Sequence, residues 1–242
     1  MIPTDAKVLI VDDDAAFRHS LARLFHSIGV DVQTFGSGAE FLAHAPEDGP
    51  TCVLLELQMP EMSGSQVQEE LARTGTEIPI VFLTGHGTIS AGVQAMKRGA
   101  VDFLEKPVDE LRVCGAIERA LSRDVQMRRQ SAAYLEARRR FARLTTRERQ
   151  VCDSVMAGLL NKQSAGQIGI AESTVKVHRS RMMKKLRVGS VVELIRLVDT
   201  ASGRWPVNGS GDENHSSDDG WGSTRAAMPR AAVNGDHSIN GR

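Results

Sequence analysis

Four short apolar runs in the first half of the chain end in polar or charged residues, and this pattern constrains the fold most. The runs end at the acidic cluster 12–14, at Glu56, at Thr84 and at Lys106. Stretches with helical periodicity separate the runs, and this alternation predicts parallel strands in an open α/β sheet. We predict a doubly wound five-stranded parallel sheet with strands at 8–11, 32–35, 52–55, 80–83 and 102–105.

The strand-end residues have the chemistry of a site that handles phosphate. In open α/β sheets the functional groups gather beyond the carboxyl ends of the strands, so these side chains are expected to lie together. Carboxylates such as those of Asp12, Asp13 and Glu56 hold a hard cation. The Thr84 hydroxyl and the Lys106 ammonium suit phosphoryl oxygens. The sequence therefore predicts a metal-assisted phosphoryl site.

The order of these residues, with Met-Pro-Glu-Met-Ser-Gly at 59–64, resembles the receiver domain of two-component response regulators over about residues 5–125. The resemblance implies a flavodoxin-like fold and Mg²⁺ as the cofactor. The implied metal ligands are Asp12, Asp13, Glu56 and the main-chain carbonyl of Gln58. The implied switch residues are Thr84, Phe103 and Lys106. It also implies a sensor histidine kinase as partner, and a homodimer formed through about residues 88–121 of the receiver.

Glu56 departs from the receiver pattern, in which the third strand ends in the aspartate that accepts phosphate. Glutamate is longer by one methylene, so its carboxylate lies roughly 1–1.5 Å closer to the place of a phosphoryl group. Three interpretations remain open. Glu56 imitates the phosphorylated state in part, or the regulator needs no phosphorylation, or Glu56 is a slow but competent acceptor.

Charge is distributed unevenly along this chain of zero net charge. The net charge is −9 over residues 1–125, +5 over 126–143 and +5 over 144–200. An acidic N-terminal part and a basic C-terminal part predict a domain that handles a cation or phosphate, followed by a domain that binds a polyanion. The three cysteines are predicted to be buried free thiols in a reducing compartment. Without an apolar run near eighteen residues, we expect a cytoplasmic protein with no membrane partner.

Four segments are predicted along the chain. Residues 1–125 form the receiver, 126–143 a helical linker, 144–200 a DNA-binding domain and 201–242 a disordered tail. The linker assignment depends on the absence of Gly and Pro between Ala116 and Ala157. The tail is rich in Gly, Ser, Asn and Asp, a composition that cannot bury enough apolar surface to offset chain entropy.

The basic segment has the signature of a helix-turn-helix domain. Thr145 and Glu148 form a predicted capping box, and a helix follows that stops at Gly158. Asn161 is predicted to cap a helix at 162–168, which Gly169 ends before a basic helix at 173–186 and another at 190–198. Two short helices and a glycine turn leading into a basic helix are typical of helix-turn-helix DNA binding.

The strings Leu-Thr-Thr-Arg-Glu-Arg-Gln at 144–150 and Thr-Val-Lys-Val-His-Arg at 174–179 resemble the LuxR/FixJ-type DNA-binding domain. The resemblance implies base reading by Lys176 and Val177. Phosphate contacts would come from Lys162, Thr174, His178, Arg179 and Arg181. Two departures are Ser164, at a position that is apolar in the family, and Ala171, where Ser or Thr often caps the helix. Each is expected to weaken the domain by about 1 kcal/mol or more, unless Ser173 replaces the cap.

Together these patterns predict a DNA-binding transcriptional response regulator that is not an enzyme. Its expected partners are promoter DNA, a sensor histidine kinase, a second copy of the chain and RNA polymerase. One alternative is a phosphorylation-independent receiver that acts only as a protein-interaction module. The other is a phosphate-ester hydrolase, which would need longer loops around a substrate pocket than this sequence has.

Overall fold

A five-stranded parallel sheet forms the centre of the N-terminal part. The computed structural model describes residues 3, 5–45, 48–85 and 89–203. The strands are β1 (Lys7–Val11), β2 (Asp31–Phe35), β3 (Thr51–Leu55), β4 (Ile80–Thr84) and β5 (Asp102–Glu105). Their order is β2-β1-β3-β4-β5, with every neighbouring pair parallel. Each predicted strand is confirmed to within one residue at either end. The order reverses between β1 and β3, so their carboxyl ends flank the switch point of the sheet.

Helices cover both faces of the sheet: α1 (Ala15–Ser27), α2 (Gly38–Leu42), α3 (Gly64–Thr74), α4 (Ile89–Lys97) and α5 (Glu110–Ala142). Alternate residues of β1 enter different apolar clusters, as the period of two in a strand requires. Val8 and Ile10 pack with Phe25 and other residues of α1 and α5, whereas Leu9 and Val11 pack on the opposite face. Burial on both faces explains why the strands are continuous apolar runs.

The helix α5 continues through most of the predicted linker, since it ends at Ala142. The contacts divide the chain into two compact units between Ala133 and Tyr134. The finer division at 125 and 143 stays a prediction. Asp124 holds α5 to the sheet, because its buried carboxylate accepts a hydrogen bond from the Thr51 amide at 2.8 Å. The same oxygen of Asp124 lies 2.6 Å from Arg128 Nε.

In the described part of the second unit, up to residue 203, α5 is followed by α6 (Thr146–Met156), α7 (Asn161–Ile168), α8 (Glu172–Leu186) and α9 (Val191–Ala201). Their core contains Val151, Val175, Met182, Leu186 and Leu194, all fully or almost fully buried. The capping box of Thr145 and Glu148 is confirmed. Gly169 adopts φ 72° between α7 and α8, a left-handed conformation that favours glycine at this turn. The predicted helix-turn-helix is therefore present.

One local prediction is wrong, and two positions that depart from the family pattern lie where they were predicted. Asn161 does not cap α7, because it is already the first helical residue and Leu160 precedes it at the cap position. Ala171 is the N-cap of α8, as predicted, and within the described residues this cap position has no side-chain hydrogen bond. Ser164 is buried, but its hydroxyl donates to the Leu160 carbonyl at 3.1 Å. That hydrogen bond satisfies the buried hydroxyl, and the predicted cost of Ser164 to packing stays a prediction.

The remaining sequence predictions concern the cysteines and the tail. Cys52 and Cys152 are buried free thiols, and Cys114 is a partly buried free thiol. Residues 204–242 lie outside the described residues, and so does most of the predicted disordered tail. Within the described part of the chain, no helix has the length and apolar character that a membrane span requires.

Candidate functional site

Lys106 lies between two buried carboxylates at the carboxyl ends of the strands. Its Nζ is 2.6 Å from Asp12 Oδ2 and 2.8 Å from Glu56 Oε2. These two carboxylate side chains are only 4 % and 7 % exposed. The Phe17 ring forms a further wall, since its centroid is 3.9 Å from the same Nζ. The structure thus brings together one ammonium, two carboxylates and an aromatic face, which favours a fixed position for the ammonium.

Each carboxylate oxygen of Asp12 and Glu56 has a partner within the protein. Asp12 Oδ1 accepts a hydrogen bond from the Asp14 amide at 2.9 Å, and Glu56 Oε1 accepts one from the Gln58 amide at 3.1 Å. The other two oxygens contact Lys106. Both residues directly follow adjacent strands, and the Glu56 amide donates to the Val11 carbonyl at 2.8 Å. The backbone ladder therefore continues to Glu56 and holds its side chain beside Asp12.

Burial and ion pairing act in opposite directions on this site. Burial raises the pKa of Asp12 above its usual range, although Lys106 and the Asp14 amide act to lower it. Burial alone would lower the pKa of Lys106, but hydrogen bonds to Asp12 and Glu56 outweigh it, so this pKa is raised. Lys106 therefore stays charged at neutral pH, and its charge opposes the repulsion between the two carboxylates.

The other predicted site residues occupy different environments. Thr84 is fully buried at the end of β4, and its carbonyl accepts a hydrogen bond from the Lys106 amide at 2.8 Å. Phe103 is partly buried, with its ring centroid 6.3 Å from that of Phe82. Asp13 and Gln58 are exposed. The structure therefore brings Asp12, Glu56 and Lys106 into direct contact, but leaves the Asp13 side chain facing solvent.

Carboxylate oxygens are the ligands that Mg²⁺ prefers, so the chemistry of this donor set fits the predicted cation. The arrangement differs from a formed metal site. Among the described residues, no group of three or more His, Cys, Asp or Glu side chains is placed to hold a metal ion. The Lys106 ammonium instead contacts the two carboxylates that a metal would use.

Two contacts near the site were not predicted from the sequence. The Phe17 ring contacts Lys106, and the Arg18 guanidinium donates to the main-chain carbonyl of Asp12. Both residues lie in the first turn of α1, whose N-cap is Asp14. Asp14 Oδ1 accepts hydrogen bonds from the Ala16 and Phe17 amides and so caps the first turn of this helix. A helix that begins directly after Asp12 and Asp13 places its first turn beside them. The position of this helix in the sequence could therefore have indicated that residues of its first turn contact the site.

The helix α8 has a buried face and a basic exposed face. Val175, Met182 and Leu186 are buried. Of the predicted DNA-contacting residues, the exposed ones are Lys162, Thr174, Lys176, Val177 and Arg181. His178 and Arg179 are partly buried. Lys176 pairs with Glu172 at 3.1 Å, whereas Arg179 Nη1 donates to Asn161 Oδ1 at 3.1 Å. This exposed face suits a polyanion.

An ion pair between the buried Glu148 carboxylate and the partly exposed Lys185 holds α8 against α6. Lys185 Nζ is 2.6 Å from Glu148 Oε2, and that oxygen also accepts a hydrogen bond from the Thr145 amide at 2.9 Å. Burial acts to raise the pKa of Glu148, but Lys185 and Thr145 outweigh it, so this pKa is lowered. Lys185 also donates to the Arg143 carbonyl at 3.2 Å. The pair connects the capping box to the last turn of the basic helix.

Comparisons with known proteins agree with both parts of the fold. Residues 8–118 match the response regulator receiver domain, and residues 142–198 match the bacterial regulatory proteins of the luxR family. Nodulation protein W of Bradyrhizobium diazoefficiens is 43 % identical over 81 % of this chain and 87 % of its own length. Response regulator protein TmoT of Ectopseudomonas mendocina is 42 % identical over 81 % of this chain and 89 % of its own.

A solved structure also matches both domains. The response regulator StyR superposes with a TM-score of 0.73 at 42 % identity, over 81 % of this chain and 98 % of that one. The receiver resemblance and the helix-turn-helix resemblance are therefore confirmed. The chain belongs to the DNA-binding response regulators of two-component systems, of the LuxR/FixJ type.

Proposed function

We propose that this regulator binds promoter DNA in a partly active state that Glu56 maintains without phosphorylation. The observation that carries the proposal is the 2.8 Å ion pair between Glu56 Oε2 and Lys106 Nζ. In the receiver family this lysine pairs with the phosphoryl group. Glu56 imitates that group incompletely, because one carboxylate has less charge and fewer acceptor oxygens than a phosphate. Partial activation is therefore expected.

Two features of Glu56 oppose phosphoryl transfer. Both of its oxygens are engaged, one by Lys106 and the other by the Gln58 amide. Its extra methylene displaces the nucleophilic oxygen by roughly 1–1.5 Å from the position of an aspartate. A displacement of that size slows attack by about a hundredfold or more. Reduced dependence on a sensor histidine kinase would follow.

Labelling with a small phosphodonor tests this part of the proposal. Acetyl phosphate should label the Glu56→Asp variant at least about tenfold faster than the native protein, since aspartate regains in-line geometry. Mass spectrometry of the intact proteins would measure the label. Labelling of the native protein as fast as the variant would show instead that Glu56 is a competent acceptor.

We further propose a weak Mg²⁺ site at Asp12, Asp13, Glu56 and the Gln58 carbonyl. Weak binding is expected because the cation must compete with Lys106, and because Asp13 must turn from solvent towards the site. A hard cation would nevertheless relieve the repulsion between the carboxylates. Titration with Mg²⁺ should shift the amide resonances of Asp12, Asp13 and Glu56. The absence of any shift at millimolar Mg²⁺ would exclude the site.

A receiver homodimer is the form in which we expect the protein to bind DNA. Exposed apolar side chains on α4 and α5 support this, since Val93 is 46 % exposed, Met96 43 % and Leu111 85 %. Apolar side chains of this size are commonly buried at interfaces. Sedimentation velocity should show a dimer of the native protein that Leu111→Asp weakens. An unchanged dimer in this variant would exclude Leu111 from the contact.

The exposed face of α8 would contact DNA in two ways. Lys176 and Val177 would read bases, whereas Lys162, Thr174, His178, Arg179 and Arg181 would contact phosphates. Lys176→Ala should therefore relax sequence preference, and Arg179→Ala should weaken binding to all sequences and flatten its salt dependence. Equal loss of specific and non-specific binding in both variants would contradict this division. RNA polymerase is the proposed partner at the promoter.

Promoter binding also separates this proposal from the two alternatives. An electrophoretic mobility shift with DNA from upstream of neighbouring genes should show specific binding by native protein without a phosphodonor. A protein-interaction module or a phosphate-ester hydrolase would show no such binding.

A further inference from the structure

We infer that Asn161 is a positioning residue that holds the Arg179 guanidinium ready for a DNA phosphate. The inference rests on the proposed phosphate contact of Arg179. Asn161 begins α7 and Arg179 lies in the middle of α8, so the contact joins the two helices of the helix-turn-helix. Arg179 Nη1 donates to Asn161 Oδ1 at 3.1 Å.

The location of Asn161 explains why its side chain is free for this role. An asparagine at the start of a helix ordinarily caps the first turn. Here Leu160 holds the cap position, and Gln163 Oε1 accepts the hydrogen bond from the Leu160 amide at 2.8 Å. The Asn161 side chain does not cap α7. Its carbonyl oxygen accepts from the arginine instead.

A neutral partner orients an arginine without cancelling its charge. Among residues 89–203, no carboxylate forms a salt bridge with Arg179, whereas Lys176 on the same helix pairs with Glu172 at 3.1 Å. An arginine has five N–H donors in a planar fork, and the contact with Asn161 uses one of them. Both the charge and the remaining donors can therefore meet a phosphate.

Holding the side chain before binding reduces the entropy that is lost on binding. Arg179 is partly buried, and its guanidinium is held by Asn161 before DNA binds. Immobilising a flexible side chain at an interface weakens association by about two- to tenfold when the partner must do it alone. Loss of the Asn161 carbonyl should therefore weaken DNA binding without removing the phosphate contact itself.

Two substitutions separate orientation from charge. Asn161→Ala should lower the affinity for DNA by about two- to tenfold while the salt dependence stays unchanged, because Arg179 still reaches the phosphate. Asn161→Asp should instead pair with Arg179 and neutralise it. This variant should lose more affinity, and its slope of log K against log salt concentration should decrease by about 1. A role of Asn161 in folding alone would not produce this split.

The test uses the full-length protein and a mixed-sequence duplex of about 30 base pairs, since phosphate contacts do not depend on sequence. Fluorescence anisotropy would measure affinity over a range of salt concentrations for the native protein, the two Asn161 variants, Arg179→Met, and Arg179→Met combined with Asn161→Ala. Thermal unfolding followed by circular dichroism shows whether each variant is folded, and Asn161→Asp should unfold no earlier than native.

The expected result is a several-fold effect of Asn161→Ala in the native background and none in the Arg179→Met background. An equal effect in both backgrounds, or no effect in either, would overturn the positioning role of Asn161. If Arg179→Met itself binds DNA as tightly as the native protein, the proposed phosphate contact is wrong and the inference fails with it. The two failures are thus distinguished within one set of measurements.

Discussion

Replacing Lys106 by methionine should destabilise the receiver in a way that depends on pH. The substitution retains most of the side-chain volume but removes the charge that lies between Asp12 and Glu56, at 2.6 and 2.8 Å. Breaking a buried ion pair by removing one partner typically costs about 3–5 kcal/mol. Protonation limits this loss, because Asp12 can take up a proton instead of remaining charged.

The free energy needed to protonate Asp12 follows from the ordinary pKa of aspartate. From its usual pKa of 3.8, protonating Asp12 at pH 7 requires about three pH units, or about 4 kcal/mol at 1.36 kcal/mol per unit. In Lys106→Met the folded-state pKa of Asp12 should be raised above the unfolded value. The folded state then binds a proton that the unfolded state does not, so stability should increase as pH falls from 7 to 5. The deficit should therefore be smaller at pH 5 than at pH 7.

Urea denaturation followed by circular dichroism at pH 7 and pH 5 would measure this effect in the transition of the receiver. Lys97→Met is a matched control, because Lys97 is exposed on α4. It should change stability by no more than about 0.5 kcal/mol at either pH. A Lys106→Met protein as stable as this control at pH 7, or with the same pH dependence, would refute the account of the site.

Two further predictions concern the second unit and the thiols. Glu148→Gln should cost about 1–3 kcal/mol at pH 7, since a part-buried charge-assisted contact with Lys185 is weakened. The pKa of Glu148 is lowered in the folded state, so native stability is lost as pH falls below the ordinary value of 4.5. Denaturation at pH 3 and pH 7 should show that the difference between native and variant shrinks in acid, and a constant difference would contradict it. Burial raises the pKa of Cys152 to about 12 and raises that of Cys52 also, so both thiols should react with a disulfide reagent only after unfolding. Reaction of either at the rate of the partly buried Cys114 would be inconsistent with this burial.

Much of the fold was predictable because the patterns are local. The apolar runs at 8–11 and 52–55 have the length of buried strands, and both occur where predicted. The capping box of Thr145 and Glu148 was also predictable, because both residues belong to one turn. The chemistry of the strand-end site followed from a general property of parallel sheets, whose carboxyl ends share one edge.

The contacts that define the two sites could not be predicted in the same way. Lys106 and Asp12 are 94 residues apart, and only the folded sheet places them at 2.6 Å. Asn161 was predicted to be a helix cap because its residue type favours that position. The structure shows a competing partner, Arg179, which lies 18 residues further along the chain. Both contacts, Lys106 with Asp12 and Asn161 with Arg179, therefore depend on pairing between side chains of elements that are distant in the sequence.

The DNA affinity of the native protein, compared with that of unphosphorylated Glu56→Asp, tests the central claim most directly. One imperfect charge pair shifts a two-state equilibrium by about 1–2 kcal/mol, so native protein should bind promoter DNA several-fold to tens-fold more tightly. The variant treated with acetyl phosphate should bind more tightly than either. Equal affinities of native protein and unphosphorylated Glu56→Asp would contradict the claim, and would mean that Glu56 does not imitate the phosphorylated state.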